Sequence, residues 1–180
     1  VGVRDDIDVI GVYAEGFTNL DGLDFVRAVR RVTTAGKTVV FYKAGRTPSG
    51  RSAAAGHTAS VAGDYDVCTA AAANAGALVV ETFKEFEQLV DLATALHSKP
   101  VRGLRLGAMS NAGFETVGMA DCTIGADYRI EMATLPEACK QQLGKMLAGH
   151  KLDKLVNARN PLDLTPMATD QAYEDAARVI

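Results

Sequence analysis

Residues 51–63 form a run of small residues around one histidine, His57. Neutral imidazole is a nucleophile near pH 7, because its unperturbed pKa is about 6.5. Small neighbours leave the ring uncovered, and the run follows an apolar strand-like segment, Thr38–Tyr42. These features suit a histidine that carries a phosphoryl group. The alternative is an exposed loop histidine without a role, or one that caps the following helix.

The residues around His57 could contact a phosphate. Gly56 precedes the histidine, and Thr58 and Ser60 place hydroxyl groups just after it. Lys43, Arg46 and Arg51 border the same segment and could neutralise an anion. Charged side chains near a loop are more typically solvated, so these three cations are interpreted as solvated surface charge.

A carboxylate, Glu15, follows another apolar strand-like segment, Val9–Tyr13. The carboxyl ends of parallel strands meet at one edge of a sheet, so Glu15 and His57 can come together there. A carboxylate bonded to one imidazole nitrogen fixes the tautomer and leaves the other nitrogen free to attack. The alternative for Glu15 is a solvated loop residue or a cap for the next helix.

A second candidate anion site is the turn of Ser110, Asn111, Ala112 and Gly113, which joins a predicted strand to a predicted helix. Unpaired N–H groups at a helix start favour phosphate. An ordinary N-cap followed by a tight turn would explain the same residues. The sequence has no GxGxxG and no Walker A loop, so it gives no sign of nucleotide binding.

Hydrophobic periodicity predicts the elements that position these residues. Strands alternate with helices, which indicates a parallel sheet with helices on both faces. The predicted strands are Val9–Tyr13, Thr38–Tyr42, Ala77–Val80, Leu104–Met109 and Tyr128–Met132, and the predicted helices cover 23–32, 64–74, 83–97, 114–123, 135–147 and the C-terminus. Residues 44–63 are expected to form a long loop, and Thr82 with Glu85 should form a capping box.

Bulk properties exclude several classes of function. The 180 residues carry a net charge of −3 without a basic block, so nucleic acid is not an expected partner. The apolar runs are shorter than the roughly 20 residues of a membrane helix. The sequence shows no signal peptide, and its three cysteines give neither a disulfide framework nor zinc-ligand spacing. We therefore expect a cytoplasmic protein without a metal site. The chain is interpreted as a fragment of a longer protein.

Several motifs together resemble the ADP-forming acyl-CoA synthetases, within the superfamily of succinyl-CoA synthetase and ATP-citrate lyase. The segment Gly56-His57-Thr58-Ala59-Ser60-Val61-Ala62-Gly63 is similar to the family's phosphohistidine segment, and Lys43-Ala44-Gly45-Arg46 to its Lys-x-Gly-Arg. Tyr13-Ala14-Glu15-Gly16 is similar to Tyr-x-Glu-Gly. Ser110–Gly113 and Asn160-Pro161-Leu162-Asp163-Leu164 are similar to its Asn-Ala-Gly-Gly turn and Asn-Pro-x-Asp-Leu.

The resemblance implies an α/β fold of two flavodoxin-like (CoA-ligase) units with mainly parallel sheets. Residues 1–98 would form the first unit, without its N-terminal part, and residues 103–180 the second, truncated at its C-terminus. It also implies a reversible reaction in which acyl-CoA, phosphate and ADP give a carboxylic acid, CoA and ATP through an acyl phosphate and a phosphohistidine. His57 would carry the phosphoryl group and Glu15 would orient it, with phosphate held by Gly56, Thr58, Ser60 and Ser110–Gly113.

The same resemblance implies that CoA, ATP or ADP, and Mg²⁺ bind to the complete enzyme. The expected partners are CoA-binding and ATP-grasp domains or subunits. The sequence leaves open whether the chain also forms a homo-oligomer. Three positions depart from the family pattern: Gly56 replaces serine, Ala59 replaces glycine, and Phe114-Glu115 brings bulk and negative charge to the phosphate turn. The alternatives are a non-catalytic CoA- or anion-binding regulatory or scaffold module of the same fold, and a receiver-like or flavin-binding flavodoxin fold.

Overall fold

The computed structural model describes residues 4–18, 20–57 and 64–180, with residues 55–57 described by their backbone alone. The chain divides into two compact units, Val1–Val101 and Arg102–Ile180. The division falls in the exposed segment between the two predicted domains.

The first unit alternates strands and helices along the chain. Its elements are β1 (Val9–Ala14), α1 (Asp21–Thr34), β2 (Thr38–Lys43), α2 (Pro48–His57), α3 (Tyr65–Asn74), β3 (Leu78–Val80) and α4 (Phe83–Leu96). The strands form one parallel sheet in the order β1-β2-β3. The carboxyl ends of all three strands therefore lie at one edge of the sheet.

Helices cover both faces of this sheet. Val39 and Phe41 of β2 are buried against α1 and α3, in a core that includes Val29 and Ala72. Tyr42 points to the opposite face, where its ring lies 6.3 Å from Phe86 of α4. This alternation follows from the period of two along a strand, and it confirms the predicted α/β class with parallel strands.

Local signals place the helix starts of the first unit. The Thr82 side chain accepts from the Glu85 backbone N–H, while the Glu85 carboxylate accepts from the Thr82 backbone N–H, which confirms the predicted capping box. Asp64 caps α3 by accepting from the N–H groups of Asp66 and Val67. These bonds satisfy N–H groups that have no partner within the helix.

The second unit is built from short strands and three helices. Its elements are β4 (Arg105–Leu106), β5 (Met109–Ser110), α5 (Gly113–Asp121), β6 (Glu131–Met132), α6 (Glu137–Gly149), β7 (Leu162–Asp163) and α7 (Asp170–Val179). β4 pairs with β6 and β5 with β7, both in parallel. Its core contains Leu143 and Leu147 of α6, Leu162 of β7 and Leu164 just after it, and Ala172 and Ala176 of α7.

Three predicted elements differ from the structure. The expected strand Leu104–Met109 is broken into β4 and β5, which pair with different partners, and the strand expected over Tyr128–Met132 contains only β6. The expected loop over 44–63 contains α2, which reaches His57. No helix of the described residues is both long and apolar enough to cross a bilayer.

Candidate functional site

Glu15 is held at the carboxyl edge of the first unit's sheet. It follows the last residue of β1 and is half-buried. The Tyr13 hydroxyl donates a 3.0 Å hydrogen bond to Oε1 of Glu15. The pKa of Tyr13 is raised, first by partial burial and then by this hydrogen bond, so the hydroxyl stays neutral and keeps its proton to donate. The alternative that Glu15 caps the next helix is wrong, because α1 begins only at Asp21 and has no side-chain cap.

Lys43 is the last residue of β2, and only 2% of its surface is exposed. Its Nζ donates two hydrogen bonds of 2.7 Å, to the main-chain oxygens of Glu15 and Ala44. The interpretation of Lys43 as a solvated surface charge is therefore wrong. Its charge also reaches Cys68 of α3, where burial raises the thiol pKa and the lysine opposes that rise.

A turn after β2 leads into the helix that ends at His57. Gly45 has φ +88°, and a Cβ at this position would lie 3.2 Å from Cγ of Arg51, so both the backbone angle and the packing favour glycine. The Gly50 N–H donates to Oγ1 of Thr47 at 3.1 Å, and Pro48 occupies the first position of α2. A helix therefore begins here despite the small residues that suggested a loop.

The remaining predicted residues of the first unit belong to the segment between β2 and α3. Gly56 and His57 are the last two backbone positions of α2, while Thr58 and Ser60 lie outside the described residues. The contact of Glu15 with His57 therefore stays a prediction. Arg46 is partly exposed, and its Nη1 lies 3.6 Å from Oε2 of Glu81, the residue after β3. The Arg51 guanidinium donates to the main-chain oxygen of Arg46.

In the second unit, the predicted anion turn lies where the sequence expects it, between β5 and α5. Ser110 is buried, and its Oγ accepts a 3.2 Å hydrogen bond from the Ala112 N–H. The Ser110 hydroxyl also donates to the Glu115 carboxylate, in the first turn of α5. A negative charge of the chain itself thus occupies the neighbourhood of the helix start.

Asp163 and Asn160 lie close to this turn and to the segment that leads into it. Asp163 follows Leu162 in β7, accepts from the Thr165 N–H at 3.0 Å, and its Oδ2 lies 3.1 Å from where a Cβ of Gly113 would be. Asn160 accepts from the Ala108 N–H and donates to the main-chain oxygens of Leu106 and Ala133. These bonds fix the segment between β4 and β5 that leads to Ser110.

The hydrogen bond of Tyr13 to Glu15 and the burial of Lys43 were not predicted from the sequence. A signal existed for each. Tyr13 and Glu15 are two positions apart, which puts both side chains on the same face of an extended chain. Lys43 ends a strand of apolar residues and precedes Ala-Gly, where small residues leave room for its long side chain. Among the described residues, no group of three or more His, Cys, Asp or Glu could hold a metal ion.

Comparison with known proteins gives matches over nearly the whole chain. The ADP-forming acetate–CoA ligase II subunit alpha of Pyrococcus furiosus is 32% identical over 172 residues, 95% of this chain and 35% of that protein. The ADP-forming acetate–CoA ligase of Methanocaldococcus jannaschii is 29% identical over 93% of this chain and 22% of its own length. The ADP-forming 4-hydroxybutyrate–CoA ligase of Nitrosopumilus maritimus is 30% identical over 87% of this chain and 21% of its own length.

This chain spans only 21% to 35% of the length of those three relatives. The family described as the succinyl-CoA ligase like flavodoxin domain matches residues 2–96, which include Glu15, Lys43 and all of α2. The α/β fold of the first unit agrees with that description. The chain belongs to the succinyl-CoA ligase-like flavodoxin domain family.

Proposed function

We propose that this chain is the central phosphoryl-relay part of an ADP-forming acyl-CoA synthetase. The observation that carries the proposal is the position of Glu15, whose carboxylate and main-chain oxygen both accept hydrogen bonds at the carboxyl edge of the sheet. This sheet lies within residues 2–96, the range that matches the family. The relatives that match over most of the chain are named as ADP-forming CoA ligases. The complete protein would convert acyl-CoA, phosphate and ADP to a carboxylic acid, CoA and ATP, and would run in reverse.

His57 is the phosphoryl carrier in this proposal. Its unprotonated ring nitrogen attacks the phosphorus of an acyl phosphate, the bond from phosphorus to the acyl oxygen breaks, and the carboxylate leaves. The proton on the other ring nitrogen stays there and is held by Glu15, which stabilises the positive charge of the phosphorylated ring. Attack by the terminal oxygen of ADP then returns His57 to its neutral form and gives ATP.

Phosphate contacts are assigned to two segments. Gly56, Thr58 and Ser60 surround the carrier in sequence, and the Ser110–Gly113 turn offers N–H groups at the start of α5. To hold a phosphate, the Ser110 hydroxyl must exchange its bond to Glu115 for one to the anion. CoA, the nucleotide and Mg²⁺ belong to the complete enzyme, whose partners are CoA-binding and ATP-grasp domains or subunits.

A second candidate function is a non-catalytic module of the same fold that binds CoA or an anion. One observation favours it: the carboxylate of Glu115 lies where the relay needs a phosphate. In that case Glu15 and Lys43 would be structural, and His57 would never carry a phosphoryl group.

Phosphorylation of the complete protein, with its ATP-binding partner, separates the two candidates. Incubation with γ-labelled ATP should give a label that is labile in acid and stable in base, and His57→Ala should reduce it to background. His97→Ala is the matched control, because His97 ends α4 and lies 3.2 Å from Asp8 at the opposite edge of the sheet. Labelling of His57→Ala at the parental level would exclude the relay.

A further inference from the structure

Lys43 carries a charge into a buried place, which calls for a reason. Burying an ammonium group away from water is unfavourable unless its N–H groups find acceptors. Two of the three N–H groups of Lys43 donate to carbonyl oxygens at 2.7 Å. A neutral residue, like the others in β2, would avoid this cost. Lysine differs from them because its ammonium group can donate to two carbonyl groups at once.

The two carbonyl groups belong to different strand ends. One is the carbonyl of Glu15, just past β1, and the other is the carbonyl of Ala44, just past β2. Lys43 thus ties the turn that carries Glu15 to the turn that leads into α2. Since α2 ends at His57, this cation joins the two segments that the relay must align.

The side chain of Glu15 is held separately from its main chain. Tyr13 donates to its carboxylate, and the Tyr13 ring is itself fixed by Tyr42 at 5.7 Å and Phe83 at 6.4 Å between ring centroids. With Lys43 on the carbonyl and Tyr13 on the carboxylate, Glu15 is anchored at both ends. Groups prepared in this way need no reorganisation when charge develops on a bound partner.

We propose that Lys43 is a positioning residue of the phosphoryl relay, acting through Glu15. The inference rests on the proposed function. Lys43 does not touch the phosphoryl group in this scheme; it fixes the Glu15 main chain so that the carboxylate meets the imidazole. Removing Lys43 should therefore slow phosphorylation only while Glu15 is able to assist.

A double-mutant cycle on the complete protein tests this dependence. The first-order rate of His57 labelling from γ-labelled ATP is measured by rapid quench in the parent, Lys43→Met, Glu15→Gln and the double variant. We expect Lys43→Met to lower the rate about 10- to 100-fold, as the loss of a supporting contact does elsewhere. In the Glu15→Gln background the same change should cost less than about threefold, because residues that act together are not additive.

Lys37 provides a matched control. Its Nζ also donates to two main-chain oxygens, those of Arg4 at 2.7 Å and Ile7 at 2.5 Å, but at the amino edge of the sheet. Lys37→Met should leave the labelling rate unchanged. Circular dichroism and thermal melting of each variant show whether the fold is retained, and Lys43→Gln, which keeps an amide donor, replaces Lys43→Met if that variant unfolds.

Each outcome has a defined meaning. An unchanged rate in Lys43→Met, or equal losses in both Glu15 backgrounds, would overturn the positioning role. Failure of both Lys43→Met and Lys43→Gln to fold would also overturn it, because the lysine would then be a structural requirement. If the parent itself acquires no label on His57, the proposed function fails instead, so the two failures are distinguishable.

Discussion

At the scale of single residues, two glutamates show how surroundings decide the use of a carboxylate. Glu15 accepts from the Tyr13 hydroxyl and has its carbonyl bound by the Lys43 ammonium. Glu115 lies in the first turn of α5 and accepts from the Ser110 hydroxyl, where the positive end of the helix dipole favours a negative charge. In the proposed relay the first carboxylate assists His57, while the second stabilises the start of its own helix.

Glu115→Gln should strengthen phosphate binding at the Ser110–Gly113 turn. One negative charge about 4 Å from an anion costs about 1 kcal/mol in water, which corresponds to about a fivefold change in Kd. The measurement is a titration of the isotopically labelled chain with inorganic phosphate, following the backbone amide resonances of Asn111, Ala112 and Gly113. Binding should tighten by about that factor in the variant.

The control for this titration is Glu137→Gln, which removes an exposed acidic residue from the first turn of a different helix, α6. It should leave the three resonances and their phosphate affinity unchanged. Equal affinity in the parent and in Glu115→Gln would remove the turn from the phosphate-binding set.

At the scale of elements, features that depend on neighbouring residues could be predicted from the sequence, whereas the pairing of short strands could not. The helix start at Thr82 could be predicted because every group in a capping box is within three residues. The strand over 104–109 could not, because its apolar pattern does not show that β4 will pair with β6 and β5 with β7. The placement of Glu15 after β1 followed from the strand pattern, whereas the two main-chain oxygens that bind the buried Lys43 ammonium could not be assigned, because that of Glu15 lies 28 positions away in the chain.

The Asn160 side chain bridges the break between β4 and β5 with three hydrogen bonds, so Asn160→Ala should destabilise the second unit. Asn160 bonds Ala108, Leu106 and Ala133, and a hydrogen bond left unmade in a partly buried place costs about 1 kcal/mol. We expect a loss of about 2–4 kcal/mol in the opening free energy of the second unit. Hydrogen exchange with mass spectrometry measures this value peptide by peptide.

Asn157→Ala is the matched control, since Asn157 is exposed and three positions away. It should change exchange by less than about 0.5 kcal/mol. Peptides from the first unit should exchange alike in all three proteins. A loss below about 1 kcal/mol in Asn160→Ala would show that other contacts hold the break.

At the scale of the whole molecule, the residues that the structure describes form two separate cores. One is formed by residues such as Val39, Phe41 and Ala72, and the other by residues such as Leu143 and Leu162, with no member in common. The matching family covers the first unit, while the relatives align with both. The first unit therefore carries the evidence for the family, and the part of the second unit in the relay is a proposal.

Because the two cores are separate, we expect a protease to cut the segment that joins the two units before it cuts inside either unit. Residues 94–107 are exposed without interruption, and the boundary between the two units falls between Val101 and Arg102 along the chain. Trypsin should cut first after Arg102, because cleavage after Lys99 is hindered by Pro100, and it should leave fragments 1–102 and 103–180.

Arg102→Gln should delay this cut, while Arg27→Gln, an exposed change within α1, should not. Intact-mass spectrometry over a digestion series identifies the fragments. If the earliest cut falls inside α1 or α6 instead, the cores open more readily than the segment between them, and the two units do not behave as independent folding blocks.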